Sequence, residues 1–241
     1  MNRNVVNILG YGVDTFTFED AIEYIYNRHG QVVTINPEMI LNAQKNKDFS
    51  DVINSSEMIV PDGVGVQIGL KILGHKVSRI AGIDFSKALI QKCVNDNKNI
   101  ALVGAKPEIL QKTCEKLKSE YPNINIVYDH DGYFTDENEI INEIVPLAPD
   151  LILVALGAPK QEFFISKLKK QLPNSIMIGV GGSFDVWSGV INRAPEIYQK
   201  LGLEWLYRTV KEPKRLKRIF PTLPLFILKV MKERLVPNVN R

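Results

Sequence analysis

The chain has 241 residues, 45% of them hydrophobic and 24% charged, which excludes a disordered chain and allows one large core or a domain with an appendage. The formal net charge of +3 hides an asymmetry. Residues 208–241 hold 10 basic and 2 acidic side chains, against 20 and 25 in residues 1–207, so the basic end is expected to meet something anionic. Cys93 and Cys114 both fall in helical patterns, which excludes a disulfide framework or thiolate metal site and fits a reducing compartment.

The N-terminal residues lead into only a short apolar run and a Gly-Tyr-Gly turn, without the length or cleavage pattern of a signal peptide. Short apolar runs then alternate with amphipathic stretches, as in an α/β chain with a largely parallel sheet. Strands are predicted at 5–9, 31–35, 57–60, 99–103, 124–128, 150–155 and 175–180. Helices are predicted near 18–28, 37–47, 64–73, 84–96, 106–120, 137–145, 160–170 and 195–211. Asp136-Glu137-Asn138-Glu139 has capping-box spacing, and Pro107 suits a first helical turn. The expected fold is α/β: a Rossmann-like, largely parallel sheet flanked by helices over residues 1–201, with a helical, basic appendage over 202–241.

Polar and glycine-rich segments follow four of these strands, where open α/β sheets bind ligands. Thr34 and Asn36 end the second strand and share one face by their spacing; Asn36 also suits an N-cap before Pro37. The third strand runs into Pro61-Asp62-Gly63-Val64-Gly65. Here Asp62 either caps the next helix or projects from a glycine-flanked turn into a cleft. Gly157-Ala158-Pro159-Lys160-Gln161-Glu162 follows the sixth strand. Free N–H groups at a helix start favour an anion there, Lys160 would add charge, and Gln161 a neutral hydrogen-bonding head. The Gly179–Gly182 cluster follows the seventh.

Several chemistries find little support. The Gly179 cluster does not complete Gly-x-Gly-x-x-Gly and no acidic ribose contact follows the second strand, so a dinucleotide enzyme is a weak reading. Asp129-His130-Asp131 looks like an Asp-x-Asp metal triplet but suits a solvated turn better. His29, His75 and His130 lack metal-ligand spacing, and neither a Gly-x-Ser-x-Gly elbow nor a P-loop occurs.

Taken together, the blocks Thr34-x-Asn36-Pro37, Val60-Pro61-Asp62-Gly63-x-Gly65, Arg79-x-Ala81-Gly82-x-Asp84, Asp131-Gly132-Tyr133-Phe134, Ala155–Glu162, Gly179–Asp185, Arg193-Ala194-Pro195 and Gly202–Arg208 resemble the WecG/TagA/CpsF glycosyltransferases, family 26 in the carbohydrate-enzyme scheme. The resemblance covers essentially the whole chain. It implies an inverting transfer, without metal or other cofactor, of a sugar from a UDP-sugar donor, N-acetylmannosamine in the best-known members. The implied acceptor is a polyprenyl-diphosphate-linked N-acetylglucosamine at the inner face of the cytoplasmic membrane. It also implies Asp62 as catalytic base, with Thr34, Asn36, Arg79 and Gln161 positioning substrate. Arg208, Arg215 and Arg218 would come from the appendage as it closes over the site. Gly63, Gly65, Gly157, Lys160, Gly181 and Gly182 are expected along the substrate path. A different hexose donor and a non-catalytic scaffold binding a nucleotide or lipid diphosphate are the competing expectations.

The tail reads Pro213-Lys-Arg-Leu-Lys-Arg218, then a short apolar run holding Pro221 and Pro224, then Lys229, Lys232 and Arg234. It is too short and too interrupted to span a bilayer. Basic residues beside exposed apolar ones suit an anionic membrane surface, and a docked terminal helix is the alternative. Nucleic acid is not expected, because base-stacking aromatics in a charged groove are missing. Self-association into a homo-oligomer is compatible with an appendage that detaches.

Overall fold

A computed structural model describes residues 3–200, 202–211 and 216–236. It opens with an antiparallel hairpin, β1 (Val5–Ile8) and β2 (Tyr11–Asp14). After α1 (Phe18–Arg28) come β3 (Gly30–Ile35), α2 (Pro37–Ala43), α3 (Lys47–Asn54), β4 (Met58–Pro61), α4 (Val64–Ile72) and α5 (Gly82–Asn95). The second half holds β5 (Asn99–Gly104), α6 (Pro107–Glu120), β6 (Asn125–His130), α7 (Glu137–Ile144), β7 (Leu151–Ala155), α8 (Lys160–Leu168), β8 (Ile176–Gly179) and α9 (Ser183–Trp187). Three helices close the chain: α10 (Glu196–Lys200), α11 (Glu204–Lys211) and α12 (Leu216–Leu235).

Six strands form one sheet in the order β4-β3-β8-β7-β5-β6, all neighbours parallel. The expected α/β class with a parallel, Rossmann-like sheet is what the structure has. Apart from the edge strand β6, its strands are buried at almost every position because both faces are covered. Val32, Met58, Val60, Leu151 and Leu153 join a core shared with α1, α5, α6 and α9. Their neighbours Val33 and Ile59 join a second core under α2, α3 and α4. Ile152 and Val154 join a third, under α7 and α8.

Differences from the sequence reading have local causes. The Gly-Tyr-Gly stretch read as a turn, but the turn is Leu9-Gly10, both at positive φ, which matches the twist of a two-residue hairpin and lets Tyr11 begin β2. Gly12 belongs in that strand because a Cβ there would lie 2.7 Å from Val5 Cγ1. The helix expected at 37–47 ends at Ala43, and a new one starts after Asn46, whose side chain accepts from the Phe49 N–H. The helix expected at 195–211 divides at Gly202, where φ is +69°.

The tail segment expected to be interrupted is one 20-residue helix, with Pro221 and Pro224 both on exposed positions. α12 lies across α2 and α4, with Phe226 and Val230 fully buried in the second core. None of the described helices is long and apolar enough to cross a membrane.

Candidate active site

In a parallel sheet every strand ends at the same edge. The four polar segments picked out in the sequence follow β3, β4, β7 and β8, which are consecutive neighbours in the order β4-β3-β8-β7. Their loops enclose a cleft of about 530 Å³, within the usual size of small-molecule sites. Thr34, Asn36, Asp62, Gly63, Arg79 and Gly82 line one side. Gly157, Gln161, Gly181 and Gly182 line the other, and Trp205 with Thr222 and Leu223 covers it from the last two helices.

Asp62 sits where β4 ends and the chain turns, with its own N–H donating to the Ile35 carbonyl at 2.9 Å. It does not cap α4: Gly63 occupies that cap, at φ +81°, and no side chain bonds there. A third of the Asp62 side chain remains open, on the cleft wall. Burial pushes its carboxyl up from the ordinary aspartate range, while the Arg79 charge and the Gly63 and Gly82 N–H groups pull the other way. The upward pull wins. A carboxylate that is hard to ionise yet lies in a cleft has the character of a proton acceptor.

Thr34 lines the cleft beside Gly82, where a Cβ would come within 3.1 Å of Thr34 Cγ2. Asn36 caps α2, accepting from the Met39 N–H at 3.0 Å, and also lines the cleft. Asn36 is therefore both the cap of α2 and a residue of the cleft wall.

Arg79 places Nε 4.0 Å from Asp62 Oδ1. Its Nη2 donates to Glu204 Oε2 at 2.8 Å and its Nη1 to the Gln199 carbonyl at 3.3 Å. Glu204 accepts in turn from Arg193 Nε at 3.0 Å, and Arg193 grips Asp84 with a bidentate pair at 2.6 and 2.7 Å. Burial pushes the Glu204 carboxyl up, but the hydrogen bonds and charges of both arginines outweigh it and hold the group below its ordinary value. Glu204 and Arg193 lay inside quoted sequence blocks without a role. Nothing local signals a partner 125 residues from Arg79.

Other expected site residues land differently. The Gly157 and Gly181 N–H groups both donate to Gln161 Oε1 at 3.1 Å, so neither is offered to an anion. Gln161 itself is only 6% exposed and is held by Glu162. Lys160 is exposed and lies outside the cleft wall. Gly65 is on the cleft wall, and a Cβ there would meet Pro37 and Leu223, so the position also serves packing. Gly63 and Gly182 stay on the wall. Asp131 Oδ1 accepts from the Tyr133 N–H at 2.8 Å, the turn bond expected of it. Arg215 lies outside the described residues. Arg208 and Arg218 are placed within α11 and α12 by backbone alone.

Two curated relatives align with this chain over most of its length. One, from Bacillus subtilis (strain 168), is 41% identical over 221 residues, 90% of this chain and 86% of its own. Another, from Bacillus spizizenii (strain ATCC 23059 / NRRL B-14472 / W23), is 38% identical over 237 residues, 96% and 92% respectively. Both are named N-acetylglucosaminyldiphosphoundecaprenol N-acetyl-beta-D-mannosaminyltransferase. With residues 6–240 also matching its family description, the chain belongs to the Glycosyl transferase WecG/TagA/CpsF family.

Proposed function

We propose that this protein is an inverting, metal-independent transferase that moves N-acetylmannosamine from UDP-N-acetylmannosamine onto a polyprenyl-diphosphate-linked N-acetylglucosamine. The product is a linkage unit of the teichoic-acid type for cell-surface polymer synthesis. The observation that carries the reading is the Asp62 carboxyl, set in the cleft 4.0 Å from Arg79 and biased toward taking a proton.

In the transfer step an acceptor hydroxyl attacks the anomeric carbon and gives its proton to the Asp62 carboxylate. The bond from that carbon to the UDP oxygen breaks on the opposite face, which inverts the centre. The departing diphosphate gathers charge that donors must meet. The arginine fork suits it, and Arg208, Arg215 and Arg218 of the appendage are assigned to this task. Thr34 and Asn36, on the wall beside Asp62, orient the reacting sugars.

Residues 202–241 form the appendage and residues 1–201 the catalytic core. A lipid-linked acceptor brings the enzyme to the inner face of the membrane. α12 exposes Leu225, Leu228, Met231 and Leu235 along one side, with Lys232 exposed nearby. Such a face suits shallow insertion beside anionic headgroups.

A panel of UDP-sugars offered with a soluble lipid-diphosphate-GlcNAc analogue, with and without chelator, tests the assignment. UDP-N-acetylmannosamine is expected to be the preferred donor, with turnover unchanged by chelator. Asp62→Asn is expected to lower kcat by about 10²–10⁴-fold with the fold intact. Full turnover in Asp62→Asn would leave a non-catalytic scaffold as the better reading, and loss of turnover in chelator would overturn the metal-free step.

A further inference from the structure

A buried polar cluster lies under the cleft where α8 meets the ends of β7 and β8, and the transfer step makes no use of it. Gln161 and Glu162 are 6% and 3% exposed. Gln161 Oε1 accepts from the N–H groups of Gly157 and Gly181, so one amide ties together the β7–α8 and β8–α9 loops. Its Nε2 donates to Glu162 Oε1 at 2.8 Å. The amide passes over β8 at Gly179, where a Cβ would lie 2.3 Å from Nε2, so only glycine leaves it room. Glu162 Oε2 is buried without a hydrogen-bond partner, as is Oε1 of Gln31 on β3. The Gln31 Nε2 reaches the Glu162 carbonyl at 3.4 Å.

A primary amide has two ends of nearly equal size, one accepting and one donating. The two loop N–H groups require its oxygen. If the amide turned over, donors would face donors and both N–H groups would be stranded. The group that prevents this is an acceptor fixed at the other end, which is Glu162.

We propose that Glu162 is a positioning residue, held as the neutral carboxylic acid, that orients the Gln161 amide and so sets the spacing of the two loops flooring this side of the cleft. Its consequence for turnover rests on the sugar-transfer reading; its geometry does not.

The neutral form follows from the surroundings. An ionised carboxylate with one bare buried oxygen is costly. β3, β7 and β8 carry no titratable side chain. On α3, Lys47, Asp48 and Asp51 are exposed, and on α8 so are Lys160 and Lys167. Among the described residues no charged side chain compensates the group; Glu57, which accepts from the Gln31 N–H at 2.6 Å, is itself paired with Lys169. Burial therefore pushes Glu162 up to about 7, against the weaker pull of the Gln161 amide and its own backbone N–H. Above that pH, ionisation draws in water or opens the first turn of α8, and the tie between the loops slackens.

Hydrogen–deuterium exchange on the full-length protein tests this, read in peptides spanning residues 156–162 and 178–184 at about pH 6 and about pH 8 and corrected for intrinsic rates. In the wild type, protection of both loops is expected to fall roughly tenfold between the two, following the ionised fraction of a group near 7. Glu162→Gln, which keeps an acceptor for Gln161 and cannot ionise, is expected to hold both loops protected at either pH, and Glu162→Ala at neither. If Glu162→Ala does not fold, the wild type and Glu162→Gln decide alone. Identical pH behaviour in those two proteins overturns the proposal, as does full protection in a folded Glu162→Ala. Under the transferase reading kcat also falls on an alkaline limb that Glu162→Gln lacks. Because exchange is read without substrate, a failure of the sugar-transfer reading leaves this result separately legible.

Discussion

Asp62 is pulled upward by burial and by the Glu204 charge, and downward by Arg79 and two backbone N–H groups. A base works only when ionised, so kcat/KM should rise with pH through this raised value, the acid limb lying above the range of an ordinary aspartate. Arg79→Gln removes the charge that favours the ionised form. The limb should therefore move to higher pH, an effect separate from any loss in kcat, and a pH–rate profile in wild type and variant reads it. A limb that stays in place would mean Arg79 does not act on Asp62. At this scale the sequence was most legible where chemistry is local: Thr34, Asn36 and Asp62 were visible because such residues rarely gather at strand ends without reason. The pairing of Arg79 with Glu204 and the direction of the Gln161 amide were not legible. Both depend on packing between segments far apart in the chain, and the glycine-rich loops looked like anion cradles until their N–H groups proved committed to Gln161.

Between elements, the contact that matters most to the site is α12 lying on α4. Gly65 and Gly69 stand one helical turn apart, and each is covered by an α12 side chain, Leu223 over the first and Phe226 over the second. Small residues at this spacing let two helices approach closely. A Cβ at Gly69 would fall 2.7 Å from Ile8 Cδ1 and 3.0 Å from Phe226 Cε1. The isoleucine end can turn aside, but the buried ring must move, and α12 with it. Gly69→Ala should therefore loosen the docked helix at a cost of about 1–3 kcal/mol for overpacking, partly offset by alanine's better helix propensity, about 1 kcal/mol. Limited proteolysis should release α12 sooner, and sugar transfer should fall while the sheet's melting transition changes little. Unchanged release would show that the glycine pair does not set the seat. The element pattern was readable wherever strands were buried on both faces. It failed at β2, where a Leu9-Gly10 turn lacks the usual Asn-Gly signature, and at α12, where two prolines argued for a break in a helix the structure continues through.

For the whole molecule, the question is how far the last 40 residues are separable from the rest. Among the described residues, the first and third cores take nothing from them. The second core, however, takes in Phe226 and Val230, both fully buried. Removing residues 202–241 should therefore leave a folded core, destabilised by about 3–6 kcal/mol for two apolar side chains withdrawn from burial. The cut also takes Glu204 from Arg79 and Arg193. Arg193 keeps its bidentate hold on Asp84, so that corner survives, whereas Arg79 loses its carboxylate partner and Asp62 faces an open cleft without Trp205, Thr222 or Leu223. The apolar face left bare over α2 and α4 should drive self-association, visible by sedimentation. Sugar transfer should disappear, because the arginines assigned to the diphosphate leave with the appendage. Binding to anionic vesicles should disappear too, whereas the full chain should bind them and release as salt screens the basic tail. Normal turnover in the truncated protein would remove the appendage from the active site, and undiminished vesicle binding would place the membrane contact elsewhere on the core.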